Sequence, residues 1–219
     1  MIKIINPDKL TAQPFFQDLV NYLAEHNDVI LRQLKKDFPE QKNLDRHLED
    51  YIQAGYIVRA EKRYHLALPM LNTLDGVKLD QMVFVDDCSA IYQDLKELRF
   101  ETQLPNTTNE CVIIESTDFE RQELTLSNYF YRLNHRYPLS EQQLPLYKLI
   151  GDVNAQYALK YVSTFLTKFL RKDVVKQKST DIFCQTLVLL GYLEVIDEAN
   201  YSLQMIMDKE QLIFTAKKP

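Results

Sequence analysis

Glycine is scarce in this sequence, and its scarcity limits the folds that the chain can adopt. Four glycines occur among 219 residues, and they are scattered singly. Glycine readily takes the left-handed backbone conformations of tight turns, and it lines the loops that bind phosphate groups. We therefore expect few tight turns, no glycine-rich phosphate loop, and a chain of the α+β class that is mostly helical.

The composition is that of an ordinary globular protein. Hydrophobic residues make up 46% and charged residues 26% of the chain, which excludes intrinsic disorder. Three widely spaced cysteines, Cys88, Cys111 and Cys184, fit free thiols in a reducing cytosol better than a disulfide framework or a zinc site. The chain opens without a signal-peptide pattern, and its longest uncharged apolar stretch, residues 182–193, is too short to cross a bilayer of about 30 Å. We expect a soluble, cytoplasmic protein.

Charge divides the chain into three segments. Residues 1–70 and 139–219 are nearly neutral, whereas residues 71–138 carry six basic and twelve acidic side chains. This distribution predicts three domains, which are a first lobe (1–70), an acidic α/β connector (71–138) and a last lobe (139–219). In the connector we expect strands at 81–85 and 111–115, helices at 88–98 and 123–133, and a surface loop at 104–110.

The first lobe has a clear order of predicted elements. Apolar residues recur at three- and four-residue spacing in residues 14–26, which predicts an amphipathic helix. Asn43 is a candidate N-cap for a later helix, and Gly55 is a candidate stop for it. The expected order is a helix at 14–26, a helix at 30–38 stopped by Pro39, a third helix from Asn43 to Gly55, and two strands at 56–58 and 63–68.

This order of three helices and a hairpin, over residues 12–68, resembles the winged helix-turn-helix superfamily. Proteins of that superfamily usually place the third helix in the DNA major groove and the hairpin, called the wing, beside the backbone. The resemblance rests on the order and spacing of the elements, because no motif unique to the superfamily is present. Another small α+β lobe is the alternative.

The last lobe repeats the pattern. Ser140 and Gln143 form a candidate capping box for a helix over 141–150, and further helices are expected at 157–170 and 180–190. The correspondence predicts a second winged-helix-like copy over residues 140–206, although coincidence is an alternative because helix–glycine–strand junctions are common. The matching segments are Gly55-Tyr56-Ile57 with Gly191-Tyr192-Leu193, and Tyr64-x-Leu66 with Tyr201-x-Leu203.

The whole chain also resembles an uncharacterised family of proteins from lactic-acid bacteria and their relatives. The opening segment IINPDKLTAQPFFQDLV and the later segment LRQLKKDFP carry this resemblance. The family has no assigned role, so the resemblance implies a bacterial, cytosolic setting and supplies no catalytic residues.

Signals of enzymatic chemistry are weak. Asp86 and Asp87 follow a predicted strand, where carboxylates can hold a metal ion, but carboxylates also suit the start of the next helix as caps. Cys88 lies at the same helix start, where the two aspartates would raise the pKa of its thiol. A catalytic pair of Cys88 with His135 has no motif behind it. We expect no enzyme, no catalytic or metal-binding residue, and no cofactor.

Basic residues in both lobes are candidates for contacts with the phosphates of double-stranded DNA, which need cations but no particular sequence. Three acidic residues of the third helix, Asp45, Glu49 and Asp50, argue against base reading there, and a solvated helix face of mixed charge is the alternative. The candidate nucleic-acid-binding residues are Lys35, Lys36, Arg46, Arg59, Lys62, Arg63, Lys168, Arg171 and Lys172.

Residues 168–178 form the most basic segment of the chain. They suit nucleic acid, but a lysine-rich helix end favoured by the helix dipole is an equal alternative. The run Tyr129-Phe130-Tyr131, with Tyr137 nearby, can stack on bases or pack in a core or protein interface.

Two function classes remain open after this reading of the sequence. In the first, the protein is a winged-helix DNA-binding or regulatory protein that contacts duplex phosphates, either as a monomer or as a homodimer. In the second, the winged-helix lobes are scaffolds for a protein partner, as in acidic tandem winged-helix proteins that join chromosome-organising complexes. The net charge of −5 favours the second class, and the basic wing with the 168–178 segment favours the first.

Overall fold

The structure, a computed structural model, describes residues 1–179 and 181–217. The chain packs as two compact units, of which the first is Met1–Leu98 and the second begins at Arg99. Boundaries near residues 70 and 138 stay a prediction, because packing does not show which segments fold independently. Within the described residues, no helix has both the length and the apolar character that a membrane span requires.

The first unit combines four helices with two small sheets. Strands β2, β4 and β3 form an antiparallel sheet in that order, and β1 pairs with β5 in a second sheet. The strands are β1 (Ile2–Ile5), β2 (Val29–Ile30), β3 (Ile57–Ala60), β4 (Arg63–Leu66) and β5 (Val83–Asp86). The helices are α1 (Pro14–Glu25), α2 (Leu31–Asp37), α3 (Leu44–Gln53) and α4 (Ala90–Glu97).

The core of the first unit follows from helical periodicity. Helix α1 begins at Pro14, whose ring suits a first helical position, and it buries Phe16, Leu19, Val20 and Leu23 on one face. Tyr51 of α3 and Tyr64 of β4 are buried in the same core. The predicted helices at 14–26 and 30–38 and the predicted hairpin are present in the structure within a few residues.

Asn43 occupies the N-cap position of α3, as expected, but its side chain does not cap the helix. Asn43 lies in the left-handed region with φ 56°, and its side chain makes no capping hydrogen bond. Gly55 does end α3 as expected, with φ +80°, a conformation that glycine adopts at little cost.

The second unit also combines helices with two sheets. One sheet has the order β11-β12-β7-β6, with β12 parallel to β7, and the other has the order β8-β10-β9. The strands are β6 (Arg99–Pro105), β7 (Val112–Asp118), β8 (Val174–Lys176), β9 (Leu193–Val195), β10 (Asn200–Leu203), β11 (Ile206–Asp208) and β12 (Ile213–Thr215). The helices are α5 (Leu126–His135), α6 (Leu144–Ile150), α7 (Ala155–Leu166) and α8 (Ile182–Leu189), and a 3-10 turn (Thr167–Leu170) follows α7.

The sequence repeat has a structural counterpart in the register of the two three-stranded sheets. Tyr64 of β4 pairs with Val29 of β2, and Tyr201 of β10 pairs in the same way with Val175 of β8. The copies differ before their last helix, because α2 and α3 follow β2 whereas α8 alone follows β8 in the described residues. Of the predicted helix at 180–190, Thr180 lies outside the described residues. The matched pairs on the other side of each central strand are Ile57 with Leu66, and Leu193 with Leu203.

The expectation of a mostly helical chain is wrong, since the chain is α+β with 36% helix and 23% strand. It failed because glycine is not the only residue that makes tight turns here. Ten described residues other than glycine take positive φ, and most are polar residues at turns between strands or at helix ends. They are Asn6, Asp28, Asn43, Glu61, Lys62, Asp80, Glu110, Arg121, Arg136 and Leu212.

The middle segment contributes to both units. Phe84 of β5 is buried in the core of the first unit, while Ile113 of β7 and Tyr129 of α5 are buried in the core of the second. The predicted strand at 81–85 and the predicted helices at 88–98 and 123–133 are present with shifted ends. The predicted loop at 104–110 is partly strand, because β6 continues to Pro105.

The expected capping box of α6 is only half formed. The amide N–H of Ser140 donates to Gln143 Oε1 at 3.2 Å, but the Ser140 hydroxyl donates to the carbonyl oxygen of Gln122 instead of capping the helix. Helix α6 accordingly begins later than predicted, at Leu144.

Candidate nucleic-acid interface

Three of the six candidate cations of the first unit form ion pairs with its own carboxylates. Lys35 Nζ of α2 lies 2.8 Å from Asp45 Oδ2 of α3. Arg59 of the wing forms an ion pair with Glu49, also on α3. Two of the acidic residues that the sequence places on α3 therefore bind a cation on either side of it, and these two cations are less available to phosphates.

The third pair involves the other strand of the wing. Arg63 Nε lies 3.5 Å from Asp28 Oδ1, and Arg63 also donates to the Asp28 carbonyl oxygen at 3.2 Å. Lys36, Arg46 and Lys62 are exposed and form no ion pair with a described residue. The first unit thus keeps unpaired cations on α2, on α3 and at the tip of the wing.

A different arrangement occurs in the second unit, where five exposed cations lie between the end of α7 and the end of β8. We call them the basic face, and they comprise Lys168, Arg171, Lys172, Lys176 and Lys178. Lys168 belongs to the 3-10 turn after α7, and its Nζ lies 3.4 Å from Gln177 Oε1. The end of the turn and the end of β8 are therefore side by side.

The cations of the basic face are not paired with carboxylates of the described residues. Among the residues that the structure describes, none of its five cations forms an ion pair. Asp173 lies among them in sequence but is itself exposed and unpaired. The pKa of Asp197 is lowered, mainly by a hydrogen bond from the Ala199 backbone and only weakly by the charge of Lys176.

The net charges of the two units also differ. Counted from the sequence, residues 1–98 carry 12 basic and 16 acidic side chains, whereas residues 99–219 carry 14 and 15. The negative charge of the chain is therefore concentrated in the first unit, where most of the predicted DNA contacts lie.

Of the four aromatic residues expected to stack on bases or to pack, Tyr131 and Tyr137 are half-buried. Tyr129 and Phe130 are buried in the core of the second unit, which confirms packing as their role. Exposed tyrosines include Tyr147 of α6 and, on α7, the pair Tyr157 and Tyr161. Tyr157 and Tyr161 are four residues apart and so share one face of α7, which differs from the face of the buried Ala158. This spacing was the sequence signal for their exposure.

A buried carboxylate in the second unit was also missed. Glu115 of β7 accepts hydrogen bonds from the backbone N–H groups of Leu126 and Ser127, at the start of α5, and from the hydroxyl of Tyr192. Burial raises the pKa of Glu115, against the lowering effect of these donors. Glu115 is two residues from Ile113, so both side chains lie on the buried side of β7. A charged residue at such an inward position was the sequence signal for a buried carboxylate.

A cavity of about 570 Å³ opens beside Glu115 and Tyr192. Its polar lining includes Glu123, Gln142 and Gln204. Since three donors already bind the two oxygens of Glu115, this carboxylate joins α5 to the turn before β9 and is not a free base aimed into the cavity.

The acidic turn before α4 has a structural role of its own. The cap of α4 is Ser89, whose hydroxyl accepts a hydrogen bond from the Tyr92 N–H, so the expected capping by Asp86 and Asp87 is wrong. Asp86 instead accepts from the Cys88 N–H. A hydrogen bond to Asp87 raises the pKa of the Cys88 thiol, as expected, so the thiolate that a nucleophile requires is disfavoured.

Comparison with known proteins gives one match. Residues 2–98 match a family described as a domain of unknown function (DUF1803). No curated protein and no solved structure matches the chain. The matched range coincides with the first unit, so the basic face lies outside it, and the match neither supports nor contradicts the winged-helix resemblance.

Proposed function

We propose that the protein binds the phosphate backbone of nucleic acid through the basic face of the second unit. The observation that carries the proposal is the contrast between five exposed cations without ion pairs at residues 168–178 and the three paired cations of the first unit. A phosphate backbone requires several cations on one surface, and a cation that is already paired releases less free energy when it meets a phosphate.

The architecture gives secondary support. In the first unit the order of elements from α1 to β4 and the sheet order β2-β4-β3 agree with the winged-helix resemblance. The second unit repeats that sheet with β8-β10-β9, and its α8 is largely buried, so a base-reading helix is not part of the proposal. Binding through phosphates alone is independent of sequence.

A titration of a labelled, mixed-sequence DNA duplex at several salt concentrations tests the proposal. If all five cations contact phosphates, the affinity should fall roughly 500-fold between 50 and 200 mM salt, because the logarithm of the binding constant falls by about 0.9 per contact for each tenfold rise in salt. Absence of binding at the lowest salt concentration would contradict the proposal.

A second function is favoured by a specific observation in the first unit. The ion pairs of α3 with Lys35 and with Arg59 suit a stable surface of mixed charge, and such a surface fits a protein partner better than DNA. Charge reversal of Lys62 and Arg63 tests whether the wing contacts DNA. If the first unit serves a protein partner and the basic face binds the phosphates, nucleic-acid affinity and its salt dependence should be unchanged, whereas a DNA-binding wing should weaken both.

A further inference from the structure

The exposed side of α7 carries an aromatic stripe that leads to the basic face. The stripe consists of Tyr157, Lys160 and Tyr161, and the side chains of the two tyrosines are exposed to 52% and 41%. Their ring centroids are 4.8 Å apart. Residues of one helix spaced by three and four lie on one face, so the three side chains form a single surface.

The stripe has a rigid base. The Tyr161 ring stacks on the ring of Phe183, with centroids 5.1 Å apart and an angle of 7° between the planes. Phe183 is itself buried at the start of α8. The Tyr161 ring is thus supported by a buried aromatic ring and is still partly exposed to solvent, beside the more exposed Tyr157, as a stacking platform requires.

The stripe is continuous with the basic face. Lys168 follows Tyr161 by seven residues, five of them in α7 and two in the 3-10 turn, which at about 1.5 and 2.0 Å per residue is roughly 11 Å along the axis. Lys160 Nζ lies 5.7 Å from the centroid of the Tyr161 ring, so positive charge also accompanies the aromatic rings. An occupant of this surface must offer flat π-systems and negative charges a few ångströms apart.

We propose that Tyr157 and Tyr161 stack on the bases of a single-stranded nucleic acid whose phosphates lie on the basic face. This inference rests on the proposed function and specifies its substrate. In a duplex the faces of the bases are covered by their neighbours, whereas a single strand exposes them to exposed aromatic side chains. A single strand therefore uses both parts of the surface, and a duplex uses only the cations.

A tryptophan reporter tests stacking directly. The chain contains no tryptophan, so Tyr157→Trp introduces the sole one. The matched control is Tyr147→Trp on α6, where the side chain is 45% exposed and belongs to no ring contact with the stripe. Three probes are titrated, namely a single-stranded oligonucleotide longer than the roughly 4–16 nucleotides of known sites, the corresponding duplex, and inorganic polyphosphate.

The single strand should quench the fluorescence of the Tyr157→Trp variant, whereas polyphosphate should bind without quenching and the control should not respond to any probe. Tyr157→Ala and Tyr161→Ala should each weaken binding of the single strand by roughly 5- to 100-fold and leave duplex binding unchanged. Salt-dependent binding without quenching, and without an effect of the alanine variants, would overturn the stacking inference and leave the proposed function standing. Failure of all three probes to bind would overturn both.

Discussion

Neutralising two matched sets of three cations separates the basic face from the wing. One variant changes Lys168, Arg171 and Lys172 to glutamine, and the other changes the paired cations Lys35, Arg59 and Arg63. Both variants lower the net charge by the same amount, so general electrostatic attraction is equally reduced in each. Any difference between them reports contact with phosphates.

The number of free cations in each set determines how much the salt dependence of duplex binding should change. Each phosphate contact contributes about −0.9 to the slope of the logarithm of the duplex binding constant against the logarithm of the salt concentration. Loss of three free cations should therefore flatten the slope by about 2.7 units. Loss of the three paired cations should flatten it much less, because Asp45, Glu49 and Asp28 already hold them.

Fluorescence anisotropy of a labelled duplex at four or more salt concentrations gives both slopes. All six side chains are at the surface, so circular dichroism should show the same secondary structure and a similar unfolding midpoint for both variants. Equal flattening by the two variants, or a larger effect at Lys35, Arg59 and Arg63, would refute the assignment of the contacts to the second unit.

Three further predictions concern stability and are tested by urea denaturation. Tyr192→Phe should lower the free energy of unfolding by roughly 1.5–3 kcal/mol, because Glu115 loses a hydrogen bond while the ring is kept; an unchanged midpoint would contradict this. The folded-state pKa of Glu115 is raised above the ordinary value of 4.5, so its contribution to stability is complete below that pH and is lost as the pH rises through the folded-state pKa. The stability of the natural protein relative to Glu115→Gln should therefore rise as the pH falls towards 4.5, and a pH-independent difference would refute the assignment. Lys62→Gly should raise the free energy of unfolding by about 0.5–1 kcal/mol, because Lys62 has φ 64° in a hairpin turn that favours glycine; Lys62→Ala, the control, should not.

Periodicity made the helices and the hairpins of the repeat predictable. Apolar spacing located α1, and the segment Gly191-Tyr192-Leu193 matched the first hairpin closely enough to anticipate the shared register. Short strands such as β8 and β12 were missed, because three residues carry too little alternation to be recognised. Turn chemistry was misjudged across the chain, because polar residues such as Glu61 and Lys62 take the positive φ values that a shortage of glycine was expected to make rare.

Two features of the interface depended on tertiary structure. The ion pair of Lys35 with Asp45 joins two helices across ten residues, so its existence depends on how α2 and α3 pack. The exposure of Tyr157 and Tyr161 could be read from their helical phase only if the core positions of α7 were known. The basic segment 168–178 needed no such knowledge, because five cations and one acidic residue stand together in the sequence.

Lysine footprinting tests the location of the interface most directly. The protein is acetylated briefly with and without a mixed-sequence duplex at low salt, and the modification of each lysine is measured by mass spectrometry. Duplex binding through the basic face should protect Lys168 and the other three lysines of that face, with little change at Lys36 and Lys62. Protection of Lys36 and Lys62, with full reactivity of the lysines between residues 168 and 178, would contradict it.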